Sequence, residues 1–285
     1  AVGSGKGGVG KSTLTLHLAG ALRARGLRIA ILDADFNGPS QARMAGVQGA
    51  VFVPPASPTD VGAARGSLRV ALPRASNGIG IFSMGSLIPE SEALDFESAA
   101  HGESHTWRAT REFALLGEIL GSFEWGALDV LMFDLPPGAE RTVQYAEFLG
   151  DRTSLVLVTI PSEVSRGVVA RSVAALSKGG HRVLGYVENM SGYYCRGCGV
   201  VQPLFGPVQG DDGAAPRLAI PRLGSVPFDP ELALQCDRGL PLERPSGSPA
   251  GRALADIARQ VLDALDTPAA ASAPREPRRD KDAPG

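Results

Sequence analysis

Near its start the chain carries a run of glycines and lysines, Gly5-Lys6-Gly7-Gly8-Val9-Gly10-Lys11-Ser12, followed by Thr13. The run fits the pattern G-x-x-x-x-G-K-[ST], in which the glycines let successive backbone N–H groups point at phosphate oxygens. Residues 1–3 are typical of the end of a buried strand, and a helical pattern begins at Lys11. We therefore expect residues 5–13 to bind a nucleotide, with Lys11 on its β and γ phosphates and the Ser12 hydroxyl on Mg²⁺. A glycine-rich turn without a ligand is the alternative.

The hydrophobic pattern around this loop predicts an α/β fold. Short apolar runs predict strands at 27–32, 130–133, 154–160 and 182–187. Helical patterns alternate with them, at 11–25, 111–120, 139–148 and 164–178. This alternation is typical of βαβ units, so we predict a doubly wound, mostly parallel sheet.

The rest of the chain is consistent with one domain. We expect residues 1–266 to form it, with an amphipathic helix over 249–265 as its last element. Two irregular stretches, 51–76 and 89–105, are predicted to be surface excursions. Residues 267–285 are rich in Ala, Pro and mixed charge, which bury too little apolar surface to offset chain entropy, so we predict a disordered tail.

Composition argues against several classes of partner. The formal net charge of the 285 residues is −2, so no global charge attracts nucleic acid or an anionic membrane. The longest apolar run, 155–160, is far shorter than the roughly 20 residues that cross a bilayer. Three cysteines are too few for a disulfide framework, and we predict a cytoplasmic protein. Because residues 1–3 resemble the end of a strand, we also expect residues to precede Ala1 in the natural protein.

Three aspartates follow apolar runs at the ends of predicted strands. Asp33 and Asp35 come after the run at 27–32, and Asp134 comes after the run at 130–133. Ligands of open α/β sheets bind at the carboxyl ends of the strands. We expect Asp134 to hold Mg²⁺ through water, and both Asp33 and Asp35 to face the nucleotide. For each aspartate the alternative is a side chain that only caps the following turn.

Cys195 and Cys198 form a Cys-x-x-Cys pair in a segment near 193–205, which we interpret as an insert. Zinc or a [4Fe–4S] cluster takes four ligands, and Cys236 is distant in sequence, so one chain offers half a site. A symmetric dimer doubles the pair to four thiolates, which suits a cluster that bridges two subunits. The alternatives are a redox dithiol, a zinc site completed by other ligands, or a structural pair. His17 is interpreted as an ordinary helix residue.

Taken together, the motifs resemble those of a known family. In chain order they are GKGGVGKST, DADFNGPS, DLPPG, VENMSGYYCRGC and LGSVPFDP, and the match covers about residues 1–245. The lysine at position 6 resembles the deviant Walker A loop of ParA, MinD and the Mrp/ApbC ATPases. VENM followed closely by Cys-x-x-Cys is similar to the narrower Mrp/ApbC group of iron–sulfur cluster carriers. The resemblance implies a MinD/ParA-like P-loop ATPase that forms a homodimer, hydrolyses ATP, and delivers a [4Fe–4S] cluster held on paired cysteines to apo-proteins.

The same resemblance implies roles for single residues. Lys6 is implied to cross the dimer interface to the phosphates of the partner, although a solvated lysine at a loop tip is the alternative. Asp35 is implied to be the switch residue that places the attacking water and contacts the Mg²⁺ hydration shell, with Asp33 in support. Asn189 is implied to hydrogen-bond the adenine base, and its amide suits that edge because it both donates and accepts.

Two stretches depart from the family pattern. The family reads DLPPGTGD, whereas here Gly138 is followed by Ala139-Glu140-Arg141, which places an arginine where the family has an acid. The family also has an Arg-Gly-Pro segment after a tryptophan, whereas here Trp107-Arg108 is followed by Ala109-Thr110. The competing interpretation is a ParA/MinD-like positioning switch, which needs a basic patch or a membrane-binding helix. The mixed charges of the tail offer neither, which favours the cluster carrier.

Overall fold

The computed structural model describes residues 1–49, 70–87, 105–205, 218–240 and 247–267. The predicted disordered tail beyond residue 267 lies outside the described residues. The same holds for most of the two surface excursions predicted at 51–76 and 89–105.

The chain forms ten strands and seven helices within these ranges. The strands are β1 Val2–Ser4, β2 Ile29–Asp33, β3 Val70–Ala71, β4 Gly80–Phe82, β5 Phe123–Glu124, β6 Val130–Asp134, β7 Ser154–Thr159, β8 Arg182–Tyr194, β9 Val201–Gln202 and β10 Arg222–Phe228. The helices are α1 Lys11–Arg23, α2 Gln41–Met44, α3 His105–Ser122, α4 Ala139–Leu149, α5 Glu163–Lys178, α6 Pro230–Asp237 and α7 Pro249–Asp266.

Seven parallel strands form the main sheet in the order β10-β8-β7-β1-β6-β2-β4. The short β9 pairs antiparallel with the end of β8, and β3 and β5 form a separate two-stranded sheet. From β1 the chain first builds β2, β4 and β6 on one side, then β7, β8 and β10 on the other. The strand order therefore reverses beside β1, which is where ligands bind in doubly wound folds. The predicted sheet is confirmed.

Helices cover both faces of this sheet, as a parallel sheet requires. One apolar core lies between the strands and α1, α2, α6 and α7. The other lies between the strands and α3, α4 and α5. Within the described ranges, no helix has both the length and the apolar character needed to cross a bilayer.

The structure differs from the predicted elements mainly at β8 and β10. The apolar pattern ends at Val187, yet β8 continues to Tyr194, because β10 pairs along most of its length and β9 pairs with its last two residues. The segment interpreted as an insert near 193–205 is thus the tip of a β-hairpin that extends β8. Strand β10 was not predicted. It contains Gly224 and Pro227, which are poor strand formers.

Candidate nucleotide and cysteine sites

The loop between β1 and α1 is shaped by two glycines. Gly8 and Gly10 adopt left-handed backbone angles, with φ of 77° and 78°. Gly10 precedes α1, and a Cβ atom there would lie 2.3 Å from Nδ2 of Asn189. Any larger residue at position 10 would be both strained and obstructed. The backbone is therefore held in the curled form that a phosphate-binding loop needs.

Lys6 projects from the tip of this loop, beside the exposed Gly7 and Gly8. Its side chain is half-buried, and its ammonium group forms no ion pair with any described residue. The described part of the chain thus offers no counter-ion for the charge at this position.

Lys11 and Asp134 form a buried ion pair at the carboxyl edge of the sheet. Nζ of Lys11 lies 2.5 Å from Oδ1 of Asp134, and it also donates to Oγ of Ser12 at 3.2 Å. The Asp134 side chain is fully buried. The predicted phosphate lysine, magnesium serine and magnesium aspartate are therefore brought together within hydrogen-bond distance.

Asp134 receives two further hydrogen bonds, neither of which was predicted from the sequence. The Thr15 hydroxyl donates to Oδ1 at 3.2 Å. The Gln41 amide donates to Oδ2 at 2.8 Å and to the backbone carbonyl of Ser12 at 2.9 Å. Gln41 directly follows the DADFNGPS motif, but a glutamine at the start of a helix carries no sequence signal for this role.

Asp33 and Asp35 have different environments. Oδ2 of Asp33 accepts the backbone N–H groups of Ser40 and Gln41 at 2.9 and 3.0 Å and the hydroxyl of Ser83 at 2.9 Å. The expectation that Asp33 faces the nucleotide gives way to the capping alternative, because these donors occupy its carboxylate. Burial, together with the neighbouring Asp134, raises the pKa of Asp33 to about 7, against the effect of its hydrogen bonds.

Asp35 is the more accessible of the two carboxylates. It is only partly buried, and its Oδ1 accepts the backbone N–H of Gly38 at 3.2 Å. Burial raises the pKa of Asp35, while the Gly38 hydrogen bond and the positive charges of Lys11 and Arg141 act in the opposite direction. Asp35 thus faces the charges of the site and keeps an oxygen available for a ligand.

A cavity beside the loop has the position and lining expected of a base pocket. Asn189 donates from Nδ2 to the backbone carbonyl of Val9 at 2.9 Å, which ties β8 to the loop. The next residue, Met190, has a left-handed φ of 54°, and the pairing of β8 with β10 shifts register at this point. Further lining residues are Gly10, Thr13, Leu14, His17, Pro227, Phe228, Asp229 and Leu232. Thr13 therefore faces the cavity, where it also contacts the Met44 sulfur at 3.8 Å.

His17 is a residue of this cavity that the sequence did not single out. Its Nε2 lies 3.4 Å from Sγ of Cys236, and both side chains are buried. Burial lowers the pKa of His17 to about 4, despite a hydrogen bond to the backbone of Leu232 and the negative charge of Asp229. Burial likewise raises the pKa of Cys236 to about 11. A neutral imidazole thus meets a neutral thiol, and Cys236 takes no part in the Cys-x-x-Cys pair.

Arg141, which departs from the family pattern, has its own set of partners. Its guanidinium forms an ion pair with Glu112 of α3, donates to Gln144 at 2.8 Å, and lies 5.4 Å from the ring centre of Tyr145. The Tyr145 hydroxyl lies within hydrogen-bond distance of the backbone carbonyl of Ala34, at 2.9 Å, and of the Glu112 carboxylate, and its one proton is donated to one of them at a time. Arg141 therefore joins α3 and α4 to the backbone between the two aspartates of the DAD motif.

Cys195 and Cys198 lie at the turn of the β8–β9 hairpin. The Cys195 N–H donates to the carbonyl of Val200 at 3.0 Å, and the Gly199 N–H donates to the carbonyl of Cys195 at 2.8 Å. Hydrogen bonds from the backbone and thiol of Cys198, and from the backbone of Gly197, lower the pKa of the Cys195 thiol. This donor set favours a thiolate and so fits a metal or cluster iron.

The described residues supply two thiolates for such a site. Among the residues that the structure describes, no three His, Cys, Asp or Glu side chains come together as metal ligands. Cys198 is exposed and Cys195 is half-buried, so both sulfurs are accessible from outside. The predicted pair is therefore preorganised and open.

The hairpin contacts residues that line the cavity beside the β1–α1 loop. Arg196, between the two cysteines, donates to Glu231 at 3.2 Å and approaches the buried Asp229 carboxylate at 3.9 Å. The rings of Tyr193 and Phe228 stack, with centres 6.3 Å apart. The cysteine turn thus rests on the end of β10 and the start of α6.

The sheet order, the loop after β1 and the carboxylates at its edge define a P-loop NTPase of the MinD/ParA fold. The nucleotide-binding protein in complex with ADP from Archaeoglobus fulgidus superposes with a TM-score of 0.64, is 28% identical, and covers 87% of this chain and 89% of that one. The septum site-determining protein MinD complexed with Mg-ADP from Pyrococcus horikoshii OT3 has the same fold, with a TM-score of 0.59, 22% identity, and coverage of 94% and 98%.

Sequence comparison places the chain more narrowly. The ParA-group profile described as NUBPL iron-transfer P-loop NTPase matches residues 1–262. The human cytosolic Fe-S cluster assembly factor NUBP2 is 38% identical over 270 residues, which cover 93% of this chain and 92% of that protein. The iron-sulfur cluster carrier protein of Saccharolobus solfataricus is 34% identical over 267 residues, or 93% and 82% of the two chains.

The chain therefore belongs to the NUBPL family of iron-transfer P-loop NTPases. This membership confirms the resemblance carried by the motifs, and with it the predicted class of function, an iron–sulfur cluster carrier built on a P-loop NTPase.

Proposed function

We propose that the chain is an ATP-hydrolysing carrier that holds a [4Fe–4S] cluster between two copies of itself and transfers it to apo-proteins in the cytoplasm. The observation that carries this proposal is the cysteine turn. Cys195 and Cys198 are accessible, the Cys195 thiolate is favoured by its hydrogen bonds, and the described residues add no third ligand. Four thiolates from two chains satisfy a cluster that two thiolates cannot.

The cluster is cargo, and it leaves by ligand exchange. Thiolates of a recipient replace those of Cys195 and Cys198, so each bond to iron that breaks on the carrier is matched by one that forms on the recipient, without a change of oxidation state. Exposure of Cys198 supports this exchange because an incoming thiolate has access.

Nucleotide binding uses the loop from Gly5 to Thr13. Lys11 binds the phosphates once it is released from Asp134, and Ser12, Asp35 and Asp134 are the candidates that hold Mg²⁺ and its waters. A hydroxyl and two carboxylates match the hard oxygen ligands that Mg²⁺ takes. When bound, the ion neutralises charge on the phosphates during their transfer to water.

Adenine is the base that the cavity favours. Nδ2 of Asn189 is committed to the Val9 carbonyl, which leaves its Oδ1 as an acceptor for the base. Adenine offers an amino group at that edge, whereas guanine offers a carbonyl that Oδ1 would repel. We therefore propose ATP as the nucleotide.

Lys6 supports a nucleotide-dependent dimer. Its ammonium group lacks an ion-pair partner among the described residues and stands at the tip of the phosphate loop. A second copy facing this loop would bring its phosphates to that charge. We expect Lys6→Ala to bind ADP within about twofold of the wild type but to lose ATP-dependent dimerisation and hydrolysis, while Lys178→Ala at the end of α5 keeps both.

Anaerobic reconstitution with iron and sulfide tests the cluster directly. The wild type is expected to hold about four iron atoms per two chains and to activate an apo-protein that requires a [4Fe–4S] cluster. Cys195→Ser and Cys198→Ser should lose both properties, whereas Cys236→Ser, a change to the buried third cysteine, should retain them. Full loading of either serine variant, or equal loss in Cys236→Ser, would contradict the proposal.

A further inference from the structure

Gln41 is fully buried at the junction of three motifs that the sequence treats as separate. Its backbone N–H donates to Asp33 at the end of β2. Its side-chain amide reaches the carbonyl of Ser12 in the phosphate loop and Oδ2 of Asp134 at the end of β6. The residue thus connects the DAD motif, the phosphate loop and the magnesium aspartate.

The chemistry of its partners fixes which way the amide faces. Both atoms near Nε2 are acceptors, a backbone carbonyl and a carboxylate oxygen, at 2.9 and 2.8 Å. An amide oxygen in that position would be repelled by both, so the NH₂ group must be the one that faces them. The two N–H bonds of Gln41 are therefore both used.

The other end of the amide has no partner. Oε1 of Gln41 is buried and accepts no hydrogen bond from any residue that the structure describes. A buried polar atom without a partner costs about 1–3 kcal/mol, and such atoms in native proteins call for an explanation. Oε1 of Gln41 is an acceptor close to Ser12 and Asp134. If these two residues hold Mg²⁺, the waters bound to the ion are donors that Oε1 could accept from.

We propose that Gln41 is a positioning residue of the magnesium site: its NH₂ group holds Asp134 and the Ser12 backbone in place, and its Oε1 accepts a hydrogen from a water of the Mg²⁺ hydration shell. This inference rests on the proposed nucleotide function but not on the cluster. Lys11 donates to Asp134, and a phosphate that draws Lys11 towards itself would weaken this bond. Gln41 and Thr15 are then the donors that keep the Asp134 carboxylate oriented.

The test is the effect of Mg²⁺ on ADP affinity, measured by calorimetry with Mg²⁺ and with EDTA. In Gln41→Leu, an apolar residue of similar volume, we expect ADP affinity in EDTA to stay within about twofold of the wild type. The affinity gained from Mg²⁺ should fall about tenfold or more, the size of effect usual for the partners of metal ligands. A general loss of packing would lower both affinities together.

Gln235→Leu is the matched control. Gln235 on α6 also donates from its amide nitrogen, to Glu231 at 3.2 Å, and also has a buried Oε1 without a partner among the described residues, but it does not contact Asp134. The Gln235→Leu variant should keep the full gain in ADP affinity from Mg²⁺. Gln41→Met is a second variant, which fills the same space with a more flexible side chain. The melting temperature of each of the three variants shows whether it is folded.

The outcomes separate the two proposals. If the wild type does not bind ADP, the proposed nucleotide function fails. If it binds ADP with no gain from Mg²⁺, the chain has no magnesium site and the inference is overturned. If the wild type gains affinity and folded Gln41→Leu and Gln41→Met gain as much, Gln41 has no role at the magnesium site and the inference is overturned. A matching loss in Gln235→Leu would also overturn it, because the effect would not depend on Asp134.

Discussion

The ammonium group of Lys11 lies 2.5 Å from the carboxylate of Asp134, and both side chains are buried at the carboxyl edge of the sheet. Each charge therefore compensates the other in a site that excludes water. A phosphate that binds Lys11 must therefore remove it from Asp134, and Mg²⁺ then replaces the lost positive charge. The geometry predicts that phosphate and Mg²⁺ bind together more favourably than either binds alone.

The first prediction concerns the stability of the nucleotide-free protein. Lys11→Met leaves Asp134 charged and buried with only Thr15 and Gln41 as donors, so we expect it to lower the free energy of unfolding by about 3 kcal/mol. Asp134→Asn should cost a similar amount. The double variant, measured by urea unfolding, should cost clearly less than the sum. Strictly additive losses would show that the pair does not stabilise the fold.

Asn189 carries a prediction about base selection. Asn189→Ala removes the Oδ1 acceptor and the hydrogen bond to Val9, so ADP affinity should fall about tenfold, and the preference for ADP over GDP should shrink by a similar factor. Calorimetry with both nucleotides measures it. Asn77→Ala, at a buried asparagine in the turn before β4, should leave the preference unchanged. An unchanged preference in Asn189→Ala would place base recognition elsewhere.

His17 predicts a loss of stability in acid. Its pKa is about 4 in the folded protein and about 6.5 when unfolded, so between these values only the unfolded state takes up the proton. The contribution of neutral His17 to the free energy of unfolding is fully present above pH 6.5. It declines by about 3 kcal/mol in total as the pH falls towards 4. His17→Gln should lack this part of the acid sensitivity in urea unfolding at several pH values. His181→Gln is the control, and identical pH profiles for wild type and His17→Gln would refute the prediction.

We expect Arg141, which stands where the family pattern has an acid, to stabilise the fold through its ion pair with Glu112. Arg141→Met leaves the largely buried Glu112 carboxylate without its ion pair and should cost about 1–3 kcal/mol in unfolding free energy. Arg141→Asp, which restores the family acid, should cost more because it sets two carboxylates side by side. Arg28→Met breaks an exposed pair with Asp129 and should cost clearly less, because water already screens that pair. Equal losses in the Arg28 and Arg141 variants would remove any special role for Arg141.

Local motifs made the phosphate loop and the strand ends predictable from sequence. Gly8 and Gly10 are required by backbone angles that few other residues adopt, and Asp134 follows an apolar run that could only be a buried strand. Most of the sheet could be predicted for the same reason, since β2, β6 and β7 consist largely of apolar residues.

Side chains placed by tertiary contacts were not predictable. Gln41 reaches Asp134 across 93 positions of sequence, and His17 meets Cys236 across 219. The expectation for Asp33 failed because the following turn brings the N–H groups of Ser40 and Gln41 onto its carboxylate. Strand β8 extends beyond its apolar part because its neighbours supply the hydrogen bonds, which no local pattern shows.

The central claim is that Cys195 and Cys198 are half of a cluster site that a second copy completes. Native mass spectrometry of the anaerobically reconstituted protein measures this most directly, because it weighs the chains and the cluster together. We predict two chains with one [4Fe–4S] cluster, and single chains without a cluster for Cys195→Ser. A cluster on a single chain, or an unchanged loaded dimer in Cys195→Ser, would contradict the claim.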